Sequence, residues 1–179
     1  EELNRAWYTA FWGHTYYDFD EIVIPDETSE EFEDGNRSVF ISDSIDYRRF
    51  MSESLLNAYQ LEYDAIKKEI PDACITTNLM GFYKPLDYGK WAKKMDFISW
   101  DSYPSNGDSY SCISMPHDLM RGLKDGDPYA MMEQTPSVTN WQRYNALKRP
   151  GVMRLQSYQA IAHGSDTVMF FQMKQSRGA

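Results

Sequence analysis

Four short apolar runs, each followed by polar side chains, constrain the fold of this chain more than any other feature. They lie at Ala73–Met80, Asp96–Trp100, Tyr129–Met132 and Thr167–Gln172, and each has the length and composition of a β-strand. Helix-capable stretches separate them, at Leu86–Met95, Pro116–Leu123 and Gly151–His163. Strands that alternate with helices indicate an α/β protein with a parallel sheet, and continuous apolar runs suit strands buried on both faces.

A long amphipathic helix is predicted before the first run, from Asp46 to Ile70, with Pro71 as its stop. Upstream of it, residues 1–12 have the pattern of a helix end that leads into an aromatic turn. The polar stretch from about Asp18 to Asp46 is long for a connection inside a domain. We therefore expect an aromatic and polar loop region over residues 1–45 and four βα units over residues 46–179.

Four βα units fit either half of a (β/α)₈ barrel or a small doubly wound sheet. A doubly wound nucleotide-binding fold needs a glycine-rich turn after a strand, and none of the four strand ends carries one. The strand ends instead carry polar and aromatic side chains, including Asn78, Asp101, Tyr103, Glu133 and Gln172. In a barrel such residues converge on one site at the carboxyl ends of the strands.

Composition excludes several classes of function. The formal net charge is −9, and the 18 basic residues are scattered among 27 acidic ones, so a nucleic-acid partner is not expected. No apolar run approaches the ~20 residues needed to cross a bilayer. Cys74 and Cys112 lack the spacing of a metal site, and we expect them to be buried thiols in a reducing compartment. Neither a metal nor a cofactor is expected.

Glu133 is the strongest candidate for chemistry. It ends an apolar strand, and position alone would also allow a solvated carboxylate. Gln134, Thr135 and Asn140 follow it as hydrogen-bonding neighbours, and Trp141 lies on the same loop. A carboxylate among polar donors, beside an aromatic ring that can pack on the apolar face of a sugar, is what a glycosidase needs.

The other polar candidates are weaker when only the residues are considered. Asp101 precedes Tyr103-Pro104, so a turn residue is the favoured interpretation, with a carboxylate of the site as the alternative. The pair His117-Asp118 is interpreted as the cap of a helix. His14 and His163 stand alone in the sequence, as satisfied polar residues usually do.

Several blocks of the sequence, in order along nearly the whole chain, resemble the β-galactosidases of glycoside hydrolase family 42. The block around Glu133, Ala130 to Trp141, resembles the nucleophile strand and loop of that family. The other matching blocks are Leu3–Trp12, Thr76–Gly81, Ser99–Pro104, His117–Gly122, His163–Gln172 and Gln175–Ala179. The resemblance implies that the chain is one fragment of a glycosidase catalytic barrel, approximately strands five to eight with their helices.

The same resemblance implies a mechanism and a set of site residues. Glu133 would be the nucleophile of a retaining double displacement on terminal β-D-galactosides. Four aromatic residues match positions that line the galactose subsite: Trp12, Tyr103, Trp141 and Phe171. Asn78 and Asp101 would be binding groups or would support the residues that touch the sugar. The complete family enzymes are expected to be cytoplasmic homo-oligomers, specifically trimers.

The acid/base glutamate of the family follows an asparagine at the end of the fourth strand, and no Asn-Glu pair occurs in this chain. Its place would fall upstream of Glu1, so we expect the chain alone to be nearly inactive. Exposed sheet edges should also make it self-associate or pair with its missing half. Two other hypotheses about function remain: a non-catalytic carbohydrate-binding module, and a related barrel glycosidase that acts on another sugar.

Overall fold

The computed structural model describes residues 1–25, 41–139, 141–144 and 146–174, except for the side chains of Trp12 and Ile41. The chain divides into two compact units, Glu1–Ala58 and Tyr59–Ala179. The helices are α1 (Glu2–Trp7), α2 (Ile41–Glu69), α3 (Tyr88–Ala92), α4 (Tyr110–Gly122) and α5 (Val152–Ala162), with 3₁₀ turns at Thr9–Trp12 and Phe19–Glu21. The strands are β1 (Asn78–Leu79), β2 (Ser99–Ser102), β3 (Tyr129–Gln134) and β4 (Ser165–Phe170).

The first unit is organised by the side chain of Asn4. Its amide accepts a hydrogen bond from the Tyr16 N–H at 2.9 Å and donates one to the Tyr16 carbonyl at 2.6 Å. Helix α1 ends at Trp7, because Tyr8 adopts a left-handed conformation with φ of 60°. The buried Trp7 donates through Nε1 to Asp46 at 2.8 Å. The helix end and aromatic turn predicted for residues 1–12 are therefore present.

The second unit is built on a four-stranded parallel sheet in the order β1-β2-β3-β4. Each strand pairs with the next one along the chain, as in a barrel. A doubly wound sheet would instead reverse its strand order. The sheet core contains large apolar side chains that are almost fully buried, namely Leu79, Ile98, Met120, Tyr129 and Met131. The strand order decides between the two α/β architectures that the sequence left open.

All four predicted strands are present, but two of them end later than the apolar runs. β2 extends to Ser102 and β3 to Gln134, so Asp101 and Glu133 both lie within strands. Asp101 is thus no turn residue, contrary to the favoured interpretation. In the first run only Asn78–Leu79 forms a strand. Polar residues can extend a parallel strand at its carboxyl end, because that end meets the site rather than the core.

Helix α4 begins well before Pro116, and the prediction that proline opens it was wrong. Ser109 caps the helix by accepting a hydrogen bond from the Cys112 N–H at 3.3 Å. The buried face of the helix has helical spacing and consists of Ile113, Pro116, His117 and Met120. Burial of this face offsets the missing N–H of the proline. His117 and Asp118 therefore lie inside the helix and do not cap it.

His117 joins the helices to the sheet. The hydroxyl of Tyr129 lies 2.7 Å from His117 Nδ1 and 3.1 Å from the Ala160 carbonyl, so β3 contacts both α4 and α5. Next to it, His163 Nδ1 lies 2.6 Å from an oxygen of Asp118. Burial lowers the pKa of His117 to about 4, so its ring is neutral near pH 7. These histidines are satisfied structural residues.

Both cysteines are exposed, and the expectation of buried thiols was wrong. Cys74 lies in the connection before β1, and Cys112 lies in the first turn of α4. Within the described ranges no helix is both long and apolar enough to cross a membrane. Over those same residues no group of three or more His, Cys, Asp or Glu side chains is placed to hold a metal ion.

Replacing Gly164 with alanine is expected to lower the free energy of unfolding by roughly 1–2 kcal/mol. Gly164 ends α5 with φ of +101°, and an added Cβ would lie 3.0 Å from Cδ of Arg121. Urea unfolding of the two proteins measures the difference. Gly107→Ala is the matched control, because its Cβ meets nothing within 4 Å and its φ is outside the positive range. Equal losses for the two variants would contradict the assignment of strain to Gly164.

Candidate active site

The carboxylate of Glu133 lies at the carboxyl end of the sheet, one residue before the end of β3. It is half-buried, and its Oε2 accepts a hydrogen bond from the hydroxyl of Tyr103. Tyr103 directly follows β2, the neighbouring parallel strand. Two adjacent strands therefore present an acceptor and its donor at the same edge, as the strand-end pattern predicts.

Gln134 and Thr135 do not hydrogen-bond to Glu133 in the way that the sequence suggested. The Gln134 side chain lies on the other face of β3, where its Oε1 accepts from Ser157 of α5 at 2.8 Å. Thr135 donates to the carbonyl of Val138 at 3.3 Å and so closes its own loop. Side chains alternate along a strand, so Gln134, which directly follows Glu133, must point away from it. The third expected partner, Asn140, lies outside the described residues.

Asp101 is the register partner of Glu133 on β2. It accepts a hydrogen bond from Nδ2 of Asn78, at the start of β1, at 2.8 Å. Burial raises the pKa of Asp101 to about 6, with the negative charge of Glu133 adding to the rise and the Asn78 hydrogen bond opposing it. The candidates Asn78 and Asp101 thus belong to one polar cluster with Glu133 and Tyr103.

Tyr103 is held as a hydrogen-bond donor by its surroundings. Burial raises the pKa of its hydroxyl, and so do the hydrogen bond to Glu133 and the charges of Glu133 and Asp101. The proton therefore stays on the phenol across the working pH range of proteins. Its ring contacts Trp141 edge to face, with 5.5 Å between ring centroids.

An open cavity of about 590 Å³ lies over Glu133. Tyr103, Trp141 and Phe171 line it, together with the loop 136–139 and residues 172–173. Trp141 leaves 64% of its surface exposed, and Phe171 leaves 51%, so both can cover a bound molecule. Aromatic rings around a single carboxylate can position a pyranose ring by stacking, so that the carboxylate approaches one carbon of the sugar.

Trp12 is the one predicted aromatic residue that this geometry does not test. It belongs to the first unit, and its side chain lies outside the described part of the structure. The remaining predicted site residues, Asn78, Asp101, Tyr103, Glu133, Trp141 and Phe171, all lie in the second unit near the carboxyl ends of the strands or in the loops that follow.

Lys148 supports the site but was not predicted from the sequence. Its ammonium donates to the Thr135 carbonyl at 2.5 Å and to Oε1 of Gln156 at 2.6 Å, so it ties the loop after Glu133 to α5. Burial lowers its pKa to about 8. A single lysine in a polar segment ordinarily faces solvent, and nothing in the local sequence indicates that this ammonium binds a backbone carbonyl.

A parallel sheet in sequential strand order, with a carboxylate and aromatic rings at its carboxyl end, defines the chain as part of a (β/α)₈ barrel with a candidate site for a sugar. The glycoside hydrolase family 42 model, described as β-galactosidase, matches residues 1–179. The chain belongs to this family.

Known members of the family cover the chain completely or nearly so. It is 62% identical to the β-galactosidase of Planococcus sp. strain L4 over 100% of this chain and 26% of that protein. It is 47% identical to a β-galactosidase of Lactobacillus acidophilus, over 99% of this chain and 27% of that protein. The crystal structure of β-galactosidase from Bacillus circulans sp. alkalophilus superposes with a TM-score of 0.92 at 61% identity, over 99% of this chain and 26% of that one.

The chain therefore spans about a quarter of the length of the curated relatives that it matches. Its four parallel strands and the helices between them form part of a (β/α)₈ barrel, and the expected fold class is confirmed.

Proposed function

We propose that this chain carries the nucleophile side of a retaining β-galactosidase active site, with Glu133 as the nucleophile. The observation that carries the proposal is the placement of Glu133 in an aromatic-lined cavity at the carboxyl end of the sheet, with the Tyr103 hydroxyl donating to it. The whole chain, residues 1–179, is then a single fragment of the catalytic barrel. The names of the relatives supply the sugar, a terminal β-D-galactoside.

In this mechanism the Glu133 carboxylate attacks the anomeric carbon while the bond to the leaving oxygen breaks. A carboxylic acid outside this chain protonates that oxygen, and water later releases the sugar from Glu133. Tyr103 orients the attacking carboxylate through its hydrogen bond. We assign Trp12, Trp141 and Phe171 to the walls of the sugar subsite, and Asn78 and Asp101 to its polar edge.

We also propose the setting in which the complete protein works. By family resemblance it is a cytoplasmic homo-oligomer, a trimer, that serves carbohydrate metabolism. It needs no cofactor and has neither a nucleic-acid nor a membrane partner. Sedimentation of the complete protein checks the oligomer, and a stable monomer at high concentration would contradict it.

The test uses a chimera in which this chain replaces the matching quarter of the Planococcus sp. strain L4 protein, here named the completed enzyme. A 2-deoxy-2-fluoro-β-galactosyl donor slows release of the covalent intermediate, so the sugar should stay attached to the peptide that contains Glu133. Mass spectrometry of the digested protein identifies that peptide. Labelling of another carboxylate would overturn the proposal. Preference for a gluco- or arabino-configured donor would show a related glycosidase instead.

A non-catalytic carbohydrate-binding module is the alternative from another class, and the exposed ring of Trp141 is the observation that favours it. Such a module needs no carboxylate at the strand end, so Glu133→Gln should leave its affinity for galactosides unchanged. Titration calorimetry of that variant, set against the labelling result, separates the two functions.

Replacing Tyr103 with phenylalanine in the completed enzyme is expected to lower kcat by roughly 10- to 100-fold, because a hydrogen bond to a charged group typically contributes ~1.5–3 kcal/mol. The ring and its contact with Trp141 remain, so KM should change little. Steady-state kinetics measures both constants. Tyr158→Phe is the matched control, since that hydroxyl belongs to an exposed ring on α5. An unchanged kcat for Tyr103→Phe would show that the hydrogen bond does not assist the reaction.

A further inference from the structure

Three adjacent strands bring four polar side chains into one hydrogen-bonded and electrostatic cluster at the edge of the candidate active site. Asn78 of β1 donates to Asp101 of β2, and Tyr103, after β2, donates to Glu133 of β3. Asp101 and Glu133 are register partners on neighbouring parallel strands. Their Cα atoms therefore lie about 5 Å apart, and residues paired in this way point to the same face. The reaction proposed above uses Glu133 and Tyr103 and places Asp101 at the polar edge of the subsite, but gives Asp101 no part in the chemical step.

Two carboxyl groups in such positions interact electrostatically. Both are half-buried, so water screens their mutual repulsion less than it would on an open surface. The ionisable groups that act on Asp101 among the described residues are Glu133 from β3 and Tyr103 from the segment after β2, while β1 contributes the neutral amide of Asn78. The charge on Asp101 therefore acts directly on the Glu133 carboxylate through electrostatic repulsion.

We propose that Asp101 is a positioning residue whose negative charge makes the Glu133 carboxylate more reactive, with Asn78 holding Asp101 in its ionised form. The proposal rests on Glu133 being the nucleophile. In the first step the charge of Glu133 is neutralised as its bond to carbon forms, while positive charge develops on the sugar ring. A neighbouring anion destabilises the starting carboxylate and stabilises the developing cation. Both effects lower the activation free energy of the first step.

The reaction should then lose rate as Asp101 becomes protonated. Burial and the charge of Glu133 raise the pKa of Asp101 to about 6, so its charge is present above that pH and is lost below it. The completed enzyme should show an acid limb in kcat near pH 6 that belongs to this residue.

The test compares the pH profiles of kcat for Asp101→Asn and Asn78→Ala in the completed enzyme. Asp101→Asn removes the charge but keeps the size and the polar contact with Asn78, so kcat above pH 7 should fall roughly 10-fold and the limb near pH 6 should vanish. Asn78→Ala removes the hydrogen bond that lowers the pKa of Asp101, so the limb should move to higher pH. KM should stay within about threefold in both variants, because neither change alters uniform binding of the sugar.

Asp166→Asn is the matched control, since that exposed carboxylate lies near the amino end of β4, away from the site. It should leave both kcat and the pH profile unchanged. Retention of the acid limb in Asp101→Asn would overturn the proposal, and so would a rise in KM with kcat unchanged, which would make Asp101 a sugar-binding group. If Asp101→Asn fails to fold, the direction of the shift in Asn78→Ala decides alone. Labelling of Glu133 by the fluorinated donor tests the proposed function separately.

Discussion

Glu133→Gln in the completed enzyme should lower kcat for β-galactosides by roughly 10⁴- to 10⁶-fold, the largest effect expected for any single change in this chain. The amide keeps the size of the side chain and an oxygen that can accept the Tyr103 hydrogen bond, but it is a very weak nucleophile. The structure and its affinity for the sugar should therefore persist while the covalent step is lost. Steady-state hydrolysis of an aryl β-galactoside, with labelling by the fluorinated donor, measures both consequences.

A second variant distinguishes the role of Glu133 from a general loss of activity. In Glu133→Gly, added azide can occupy the vacated space and attack the anomeric carbon, which should yield a galactosyl azide of inverted configuration. Glu62→Gln, on the exposed face of α2, is the matched control and should keep full activity. Near-normal hydrolysis by Glu133→Gln would rule out a nucleophilic role.

The location of the site could be predicted from the sequence because barrel chemistry depends on one local rule. Side chains at the ends of buried parallel strands meet at the same edge. The sequence places Asn78 near the end of one such run, and Tyr103 and Glu133 after two others. The carboxyl ends of these strands do meet, and Tyr103 contacts Glu133 directly. Prediction of the family, and with it the barrel, depended on longer blocks of sequence. Strand order is a property of strand pairing, which local patterns do not contain.

The errors arose where a local pattern competed with a contact to a distant residue. Asp101 lies just before a proline turn, yet pairing with β3 keeps it in the sheet, with an irregular register between Trp100 and Asp101. Pro116 resembles a helix start, yet the buried face of α4 holds it in the middle of the helix. In each case tertiary packing overrode a propensity of about 1–3 kcal/mol.

The contacts that support the site were harder to predict than the site itself. Lys148 clamps the Thr135 carbonyl across 13 positions in the chain, and His117 meets Tyr129 across 12. Such pairs follow from the three-dimensional arrangement of helices around the sheet, and the sequence near either residue does not indicate its partner. The residues that react can be recognised by type and strand position, whereas those that hold them require the fold.

The isolated chain of 179 residues is expected to hydrolyse β-galactosides at least ~10²–10⁴-fold more slowly than the completed enzyme. A retaining glycosidase needs an acid about 5–5.5 Å from the nucleophile, on the side of the leaving oxygen. Among the described residues the carboxyl coupled to Glu133 is Asp101, which lies on the neighbouring strand and points to the same face. It is therefore badly placed to protonate an oxygen on the far side of the sugar.

The leaving group makes this expectation testable. The dinitrophenolate of a dinitrophenyl galactoside can depart without being protonated, whereas the leaving sugar of lactose needs a proton. The difference in rate between the isolated chain and the completed enzyme should therefore be smaller for the dinitrophenyl galactoside and larger for lactose. Glu133→Gln in the isolated chain corrects for contaminating activity, and near-ultraviolet circular dichroism establishes that its aromatic residues are packed. A folded chain that cleaves lactose within tenfold of the completed enzyme would mean that an acid is present among its own residues, and Asp101→Asn would then show whether Asp101 is that acid.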